Sequence, residues 1–187
     1  MKKWLVGIGV AIVALFLFVV LPIWTTYNGM VMAGNTIDKT WQDVQAAYQR
    51  RYDTVPKFAE VAKLSMDTQT KIKTDWARLR EGYGTATTPD AINKLNQQAS
   101  LIYANFRTEV DPKLDTTQLT ELNAGIDNAE RVINNERKVF NSAILTYNNK
   151  VKTFPGNVVA GWFGFEAKTG FTAEVGAEKS PPLNLTK

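Results

Sequence analysis

The chain has 187 residues, 44% of them hydrophobic, which suits one modest domain with a real core and argues against general disorder. It contains no Cys and no His. That excludes a disulfide framework, a thiolate metal site, a Cys nucleophile and an acylated lipoprotein, and it removes the commonest general base, pH switch and metal ligand. The net charge of +4 rests partly on Lys2 and Lys3; without these two of the 22 basic residues, the 20 that remain nearly balance the 18 acidic ones, and no long basic run favours nucleic acid.

Trp4 to Trp24 reads WLVGIGVAIVALFLFVVLPIW, with no charge. A helix of that length spans about 30 Å, the thickness of the hydrocarbon core. Trp4 and Trp24 stand at its ends, where interfacial aromatic residues belong. Pro22 is tolerable in a transmembrane helix. The run is read as a retained membrane anchor. A cleaved signal peptide has a shorter apolar core, about 7–15 residues, and the best small-residue site here, Val31-Met32-Ala33, lies behind polar residues. Lys2 and Lys3 favour a cytoplasmic N-terminus (residues 1–3) with the bulk of the chain on the other side.

Beyond the anchor, residues 25–155 show helical spacing. Ile37, Trp41, Val44, Tyr48, Tyr52 and Val55 make one stripe, which can rise directly from the membrane helix, although Gly29 and Gly34 weaken the join. Pro56 predicts a break or kink. A second helix is expected over Lys57 to Arg80, and a loop at Glu81-Gly82-Tyr83-Gly84. Thr88-Pro89 supplies an N-cap and a first-turn proline for a third helix with Ile92, Leu95, Ala99, Ile102, Phe106 and Val110 along one side; Asp111-Pro112 ends it. Thr117 is the expected cap of a fourth helix. Its apolar residues, from Leu119 and Leu122 through Phe140 and Ile144 to Val151, keep a heptad-like, coiled-coil rhythm until Phe154-Pro155. The fold class this predicts is all-α: an elongated antiparallel bundle of about four long helices with an N-terminal transmembrane helix.

Residues 156–171 differ in kind, being rich in glycine and aromatics, and residues 172–187 have little to bury and are expected to be poorly ordered. With helix directions alternating, the fourth helix returns to the level where the first leaves the bilayer. That places Val158, Val159, Trp162, Phe163 and Phe165 near the headgroups. Whether this segment enters the interface, packs between protomers there or folds back beneath the bundle stays open.

Two polar clusters stand out. Arg50-Arg51-Tyr52-Asp53, followed by Pro56, can be read as bidentate donors for a carboxylate or phosphate. The structural reading is preferred: Asp53 favours a nearby helix start, and an arginine bonds carboxylates of the fourth helix. On the fourth helix Arg131, Glu136, Arg137, Asn141 and Asn148 interrupt the apolar pattern, with Arg137, Asn141 and Asn148 on one side. Fixing helix register is the preferred role; a polar binding groove is the sharper one. No carboxylate pair has a catalytic spacing and no Gly-rich phosphate loop follows a strand, so no catalytic residue, cofactor or metal is expected.

The anchor, Tyr27-Asn28, the block RRYDTVPKFAEVAK (Arg50 to Lys63) and the block ERVINNERKVFNSAILTYNNKVKTFPGNVVAGWFGF (Glu130 to Phe165), closing with Phe171, resemble the LemA family of bacterial membrane proteins. Arg50, Arg51, Asp53 and Pro56 agree with the family pattern, whereas Thr54, Lys57, Phe58 and Ala59 depart from it. In the later block Arg131, Glu136, Arg137, Asn141, Tyr147, Asn148, Phe154, Pro155, Ala160, Gly164 and Phe165 agree. The resemblance implies an elongated helical bundle on a membrane anchor and no reaction, so the motif residues enter as structural or partner-binding candidates. The expected function is non-enzymatic: self-assembly or scaffolding at the bacterial inner membrane, with the bundle in the periplasm. Membrane lipid, further copies of the chain and other envelope proteins are the expected partners, with no nucleic acid. A binding or sensing module that uses Arg50-Arg51 for an anionic ligand or protein is the alternative.

Overall fold

The computed structural model describes residues 2–172. Five α-helices follow one another: α1 (Lys2–Val61), α2 (Met66–Thr85), α3 (Pro89–Val110), α4 (Thr116–Lys152) and α5 (Gly156–Phe163), with a 3₁₀ turn at Asp111–Lys113. No strand occurs among the described residues, and the all-α class expected from the sequence is the observed one.

α1 is a single helix of 60 residues, about 90 Å long at 1.5 Å per residue. Its N-terminal part is uniformly apolar and exposed, long enough to cross a membrane. Its upper part buries Ile37, Val44, Tyr48, Val55 and Ala59. The expected break at Pro56 does not occur. Proline removes one ladder hydrogen bond and costs about 3 kcal/mol in a helix interior, but Val55, Ala59 and Ala62 around it are all buried, and their packing offsets that cost. The chain turns only at Lys63, which takes a left-handed conformation (φ 51°), and Ser65 caps α2 by accepting from the Thr68 N–H.

α2 therefore starts nine residues later than the periodicity indicates and runs through the expected loop. The glycines there serve close packing instead of a turn. A Cβ at Gly82 would lie 2.9 Å from Leu95 Cδ2, and one at Gly84 would overlap the Gln49 amide. The real turn, at Ala86, is held from α1: Trp41 Nε1 donates to the Ala86 carbonyl (3.1 Å), and Gln45 Nε2 lies 2.8 Å from the same oxygen and 2.9 Å from that of Gly84. Thr88 caps α3 as expected, with Pro89 in its first turn.

α1, α2 and α3 are joined by one polar bridge inside the core. The Tyr48 and Tyr83 rings stack at 4.7 Å. Tyr83 donates to Asn96 Oδ1 (2.7 Å), and Asn96 Nδ2 donates to the Tyr48 hydroxyl (3.1 Å). Burial pushes the Tyr48 phenol above its ordinary value, against the opposing Asn96 hydrogen bond and Arg137 charge.

α4 is capped by Asp115 and not by Thr117. Asp115 Oδ1 accepts from the Gln118 N–H (2.9 Å), and Gln118 Oε1 accepts from the Asp115 N–H (3.0 Å), a complete capping box. α4 then packs antiparallel along α1, burying Leu122, Ile133, Phe140, Ile144, Tyr147 and Val151. α5 closes the lower end. Its C-terminus is a left-handed Gly164 (φ 73°), with the Phe165 N–H bonded to the Ala160 carbonyl.

Asp115→Ala lowers unfolding stability by about 1 kcal/mol, as loss of a helix cap does, while Thr117→Ala leaves it unchanged; urea denaturation of the detergent-solubilised chain separates them. Since the Tyr48 value is raised, its contribution is complete below about pH 10 and is lost as pH rises through the folded value. The alkaline fall in melting temperature is expected to be shallower in Tyr48→Phe than in the parent chain.

Candidate functional site

Two regions gather the residues singled out in the sequence: the lower end of the bundle, and a groove running up from it. At the lower end Tyr27 of α1 takes the Phe163 ring edge-on (4.9 Å) and the Phe165 ring likewise (5.4 Å). α5 is amphipathic. Val159 and Ala160 point into the bundle, and Val159 is buried, so it does not belong with the membrane-facing candidates. Phe154, Val158, Trp162 and Phe163 are exposed. Of these, Phe163 sits within about one helical turn of the end of the apolar run at Trp24, through its contact with Tyr27. The segment thus covers the bottom of the bundle with one face and leaves an aromatic face outward. Pro155 precedes α5 directly and forms its N-cap.

The stretch 156–171 is not wholly at this level. After Gly164 the chain reverses and climbs the α1–α4 seam in extended form. Phe171 ends beside Trp41, fourteen residues above Tyr27 along α1, or about 21 Å.

The climbing segment is held by two asparagines. Asn148 Oδ1 accepts from the Lys168 N–H (2.8 Å) while its Nδ2 donates to the Lys168 carbonyl (2.8 Å). Asn141 does the same to Phe171, at 2.8 and 2.9 Å. A carboxamide placed this way acts as the peptide group of a neighbouring strand. The spacing fits: seven residues of helix rise about 10.5 Å, and three residues of extended chain about 10 Å.

Side chains complete the fit. Phe171 is buried between Trp41 (rings 5.9 Å apart, nearly parallel) and Phe140 (5.6 Å, edge-on), with the Arg137 guanidinium 4.6 Å from its ring centre. Lys168 lies 5.6 Å from the Tyr147 ring centre and 3.9 Å from Asp38. Burial, and then the Glu166 charge, raise the Tyr147 phenol. Gly170 is required by close approach, since a Cβ there would overlap Asn141 Oδ1. Arg137, Asn141 and Asn148 therefore converge on one object, the chain's own segment. The sequence alone indicated a shared side of α4 but not what lies there; the signal it offered was two asparagines one heptad apart.

The other candidates lie elsewhere. Arg51 pairs with Glu130 of α4 (2.8 Å), while Arg50 is exposed, so the two arginines do not form one fork. Pro56 is inside α1 and half-buried. The Asp53 side chain lies outside the described residues. Arg131 donates to Asn128 within its own helix, and Glu136 accepts from Asn135. No group of three or more acidic side chains able to hold a metal lies among the described residues.

An all-α chain in which one helix continues from a membrane-length apolar run into a narrow bundle defines a class: the membrane-associated helical proteins. Within that class, the LemA family model matches residues 40–184, most of the chain, and this protein belongs to the LemA family. Comparison with curated proteins and with solved structures gives no match.

Asn141→Ala and Asn148→Ala each remove two hydrogen bonds of about 1 kcal/mol net. Hydrogen exchange at the Lys168 and Phe171 amides is expected to accelerate on the order of tenfold in each variant, and Gly170→Ala to have the same effect through its overlap with Asn141, with the sequence of α4 unchanged.

Proposed function

We propose that this protein is a non-enzymatic, membrane-anchored helical scaffold that self-associates at the bacterial inner membrane, with its N-terminus cytoplasmic and its bundle periplasmic. The observation that carries this reading is the group of exposed aromatics at α5, Trp162 and Phe163 on the helix and Phe154 just before it, with Phe163 set against Tyr27 near the end of the apolar run. A soluble surface rarely gathers such side chains without something to cover them. Headgroups and neighbouring protomers are what a bundle standing on its own anchor meets at that height.

Further features support association. A shallow groove between α1 and α4, lined by Ala33, Thr36, Thr40, Val139, Ser142 and Thr146, lets another helix approach closely. Met32, Val139 and Leu145 are exposed along the same two helices. Lys2 and Lys3 favour the cytoplasmic N-terminus. The site residues offer backbone-binding amides and aromatic packing, and no activated nucleophile or base.

The test is made in lipid. In a chain carrying Trp4→Phe and Trp24→Phe, which leaves Trp162 as the exposed tryptophan among the described residues, Trp162 fluorescence is expected to be quenched by lipids brominated near the headgroup, and amine cross-linking of the parent chain at high protein density to give dimers and larger species. A Trp162 emission indifferent to those lipids, with a strictly monomeric pattern, contradicts the reading.

A further inference from the structure

The two asparagine clamps on Lys168 and Phe171 contact only backbone atoms. Such a contact does not depend on which chain supplies the segment. Selectivity comes from one pocket, the Trp41–Phe140–Arg137 cage around Phe171, and from the placing of a cation against Tyr147 and Asp38. The geometry points to a binding site for an extended peptide bearing a basic residue and, three places on, an aromatic one, and we propose that the segment of a neighbouring copy occupies it when protomers meet. This rests on the self-association proposed above and names a contact that makes it.

Three observations favour a second copy as the occupant. The sequence seated in the groove is this chain's own. The segment is attached through a short link: Phe165 is fixed on Tyr27 and Lys168 already sits on Asn148, leaving Glu166 and Ala167, both exposed, as the hinge. Short hinges between a docked element and its body are where exchange between protomers is inexpensive. Finally, groove and segment sit at the same height, near Asp38 and Trp41 of α1. Copies standing in parallel on one membrane present donor and acceptor level with each other, so exchange needs lateral approach alone. The hinge spans only about 10 Å when extended, which restricts exchange to protomers in contact. The same bonds are made in either arrangement, so crowding in the bilayer sets the balance.

The natural absence of cysteine makes the test direct. Leu145 and Thr169 line the same cleft. Full-length chains carrying Leu145→Cys and, with a different tag, Thr169→Cys are co-reconstituted at high density and oxidised. We expect a disulfide-linked hetero-dimer, reduced at least fivefold when the Leu145→Cys copy also carries Asn141→Ala and Asn148→Ala. No hetero-dimer, while a single chain carrying both cysteine substitutions closes internally, would show cis occupancy only and overturn the proposal. A hetero-dimer indifferent to the asparagines would overturn it too, as would closure in neither arrangement. Amine cross-linking of the same samples separates the two proposals: dimers without the specific disulfide leave self-association standing and remove the exchange, and a purely monomeric pattern removes self-association itself.

Discussion

Everything in this molecule is hung on the antiparallel seam between α1 and α4. A 60-residue helix cannot bury one face against itself, and its upper half would be a marginal object in water. α4, 37 residues long, runs back along it and sets Phe140 against Trp41. The pairing sets three heights at once. Arg51 meets Glu130 toward the upper end, Trp41 meets Phe140 midway, and Tyr27 receives the aromatics that follow α4 at the bottom. A shift of the seam by one turn would misplace all three.

The seam also explains why the polar residues of α4 sit where they do. Asn141 and Asn148 lie beside the apolar stripe, at the edge of the interface, where a side chain reaches both the seam and the solvent. An extended segment lying in the cleft beside α1 has unpaired amide and carbonyl groups, and each asparagine supplies a donor and an acceptor for one residue of it. Arg137 adds a cation over the one aromatic ring that the segment buries. The hydrogen bonds of Asn141 and Asn148 go to this segment of the chain itself.

Much of this was legible in the residues. The long apolar N-terminal helix, the order of the long helices, the Thr88-Pro89 start and the Asp111-Pro112 stop all follow from local chemistry, and local chemistry is what a sequence displays. Most of the differences share one cause, tertiary packing overriding a local cue; the start of α4 is the exception, where one local cue outweighs another. Pro56 is carried within α1 because the residues around it are buried. Gly82 and Gly84 are needed for contact with Leu95 and Gln49, so they mark no turn. Asp115, two residues before the expected cap, wins because Gln118 completes its box. Val159 and Trp162 looked alike as apolar residues of one segment, but only the handedness of α5 decides that one is covered and the other is not. The climbing segment was least legible of all, since its partners are thirty and twenty residues away and its own sequence has no strand alternation.

The central claim is that α1 is one uninterrupted helix from the apolar run to the top of the bundle, since every height in the structure is measured along it. Spin labels at Thr25 and Val61, both exposed and introduced through Thr25→Cys and Val61→Cys, bracket Gly29, Gly34 and Pro56. Pulsed dipolar spectroscopy in lipid is expected to give one narrow distance distribution centred at about 54 Å, the rise of 36 helical residues. A broad distribution, or one centred below about 45 Å, would mean a hinge or break in α1 and would contradict the account.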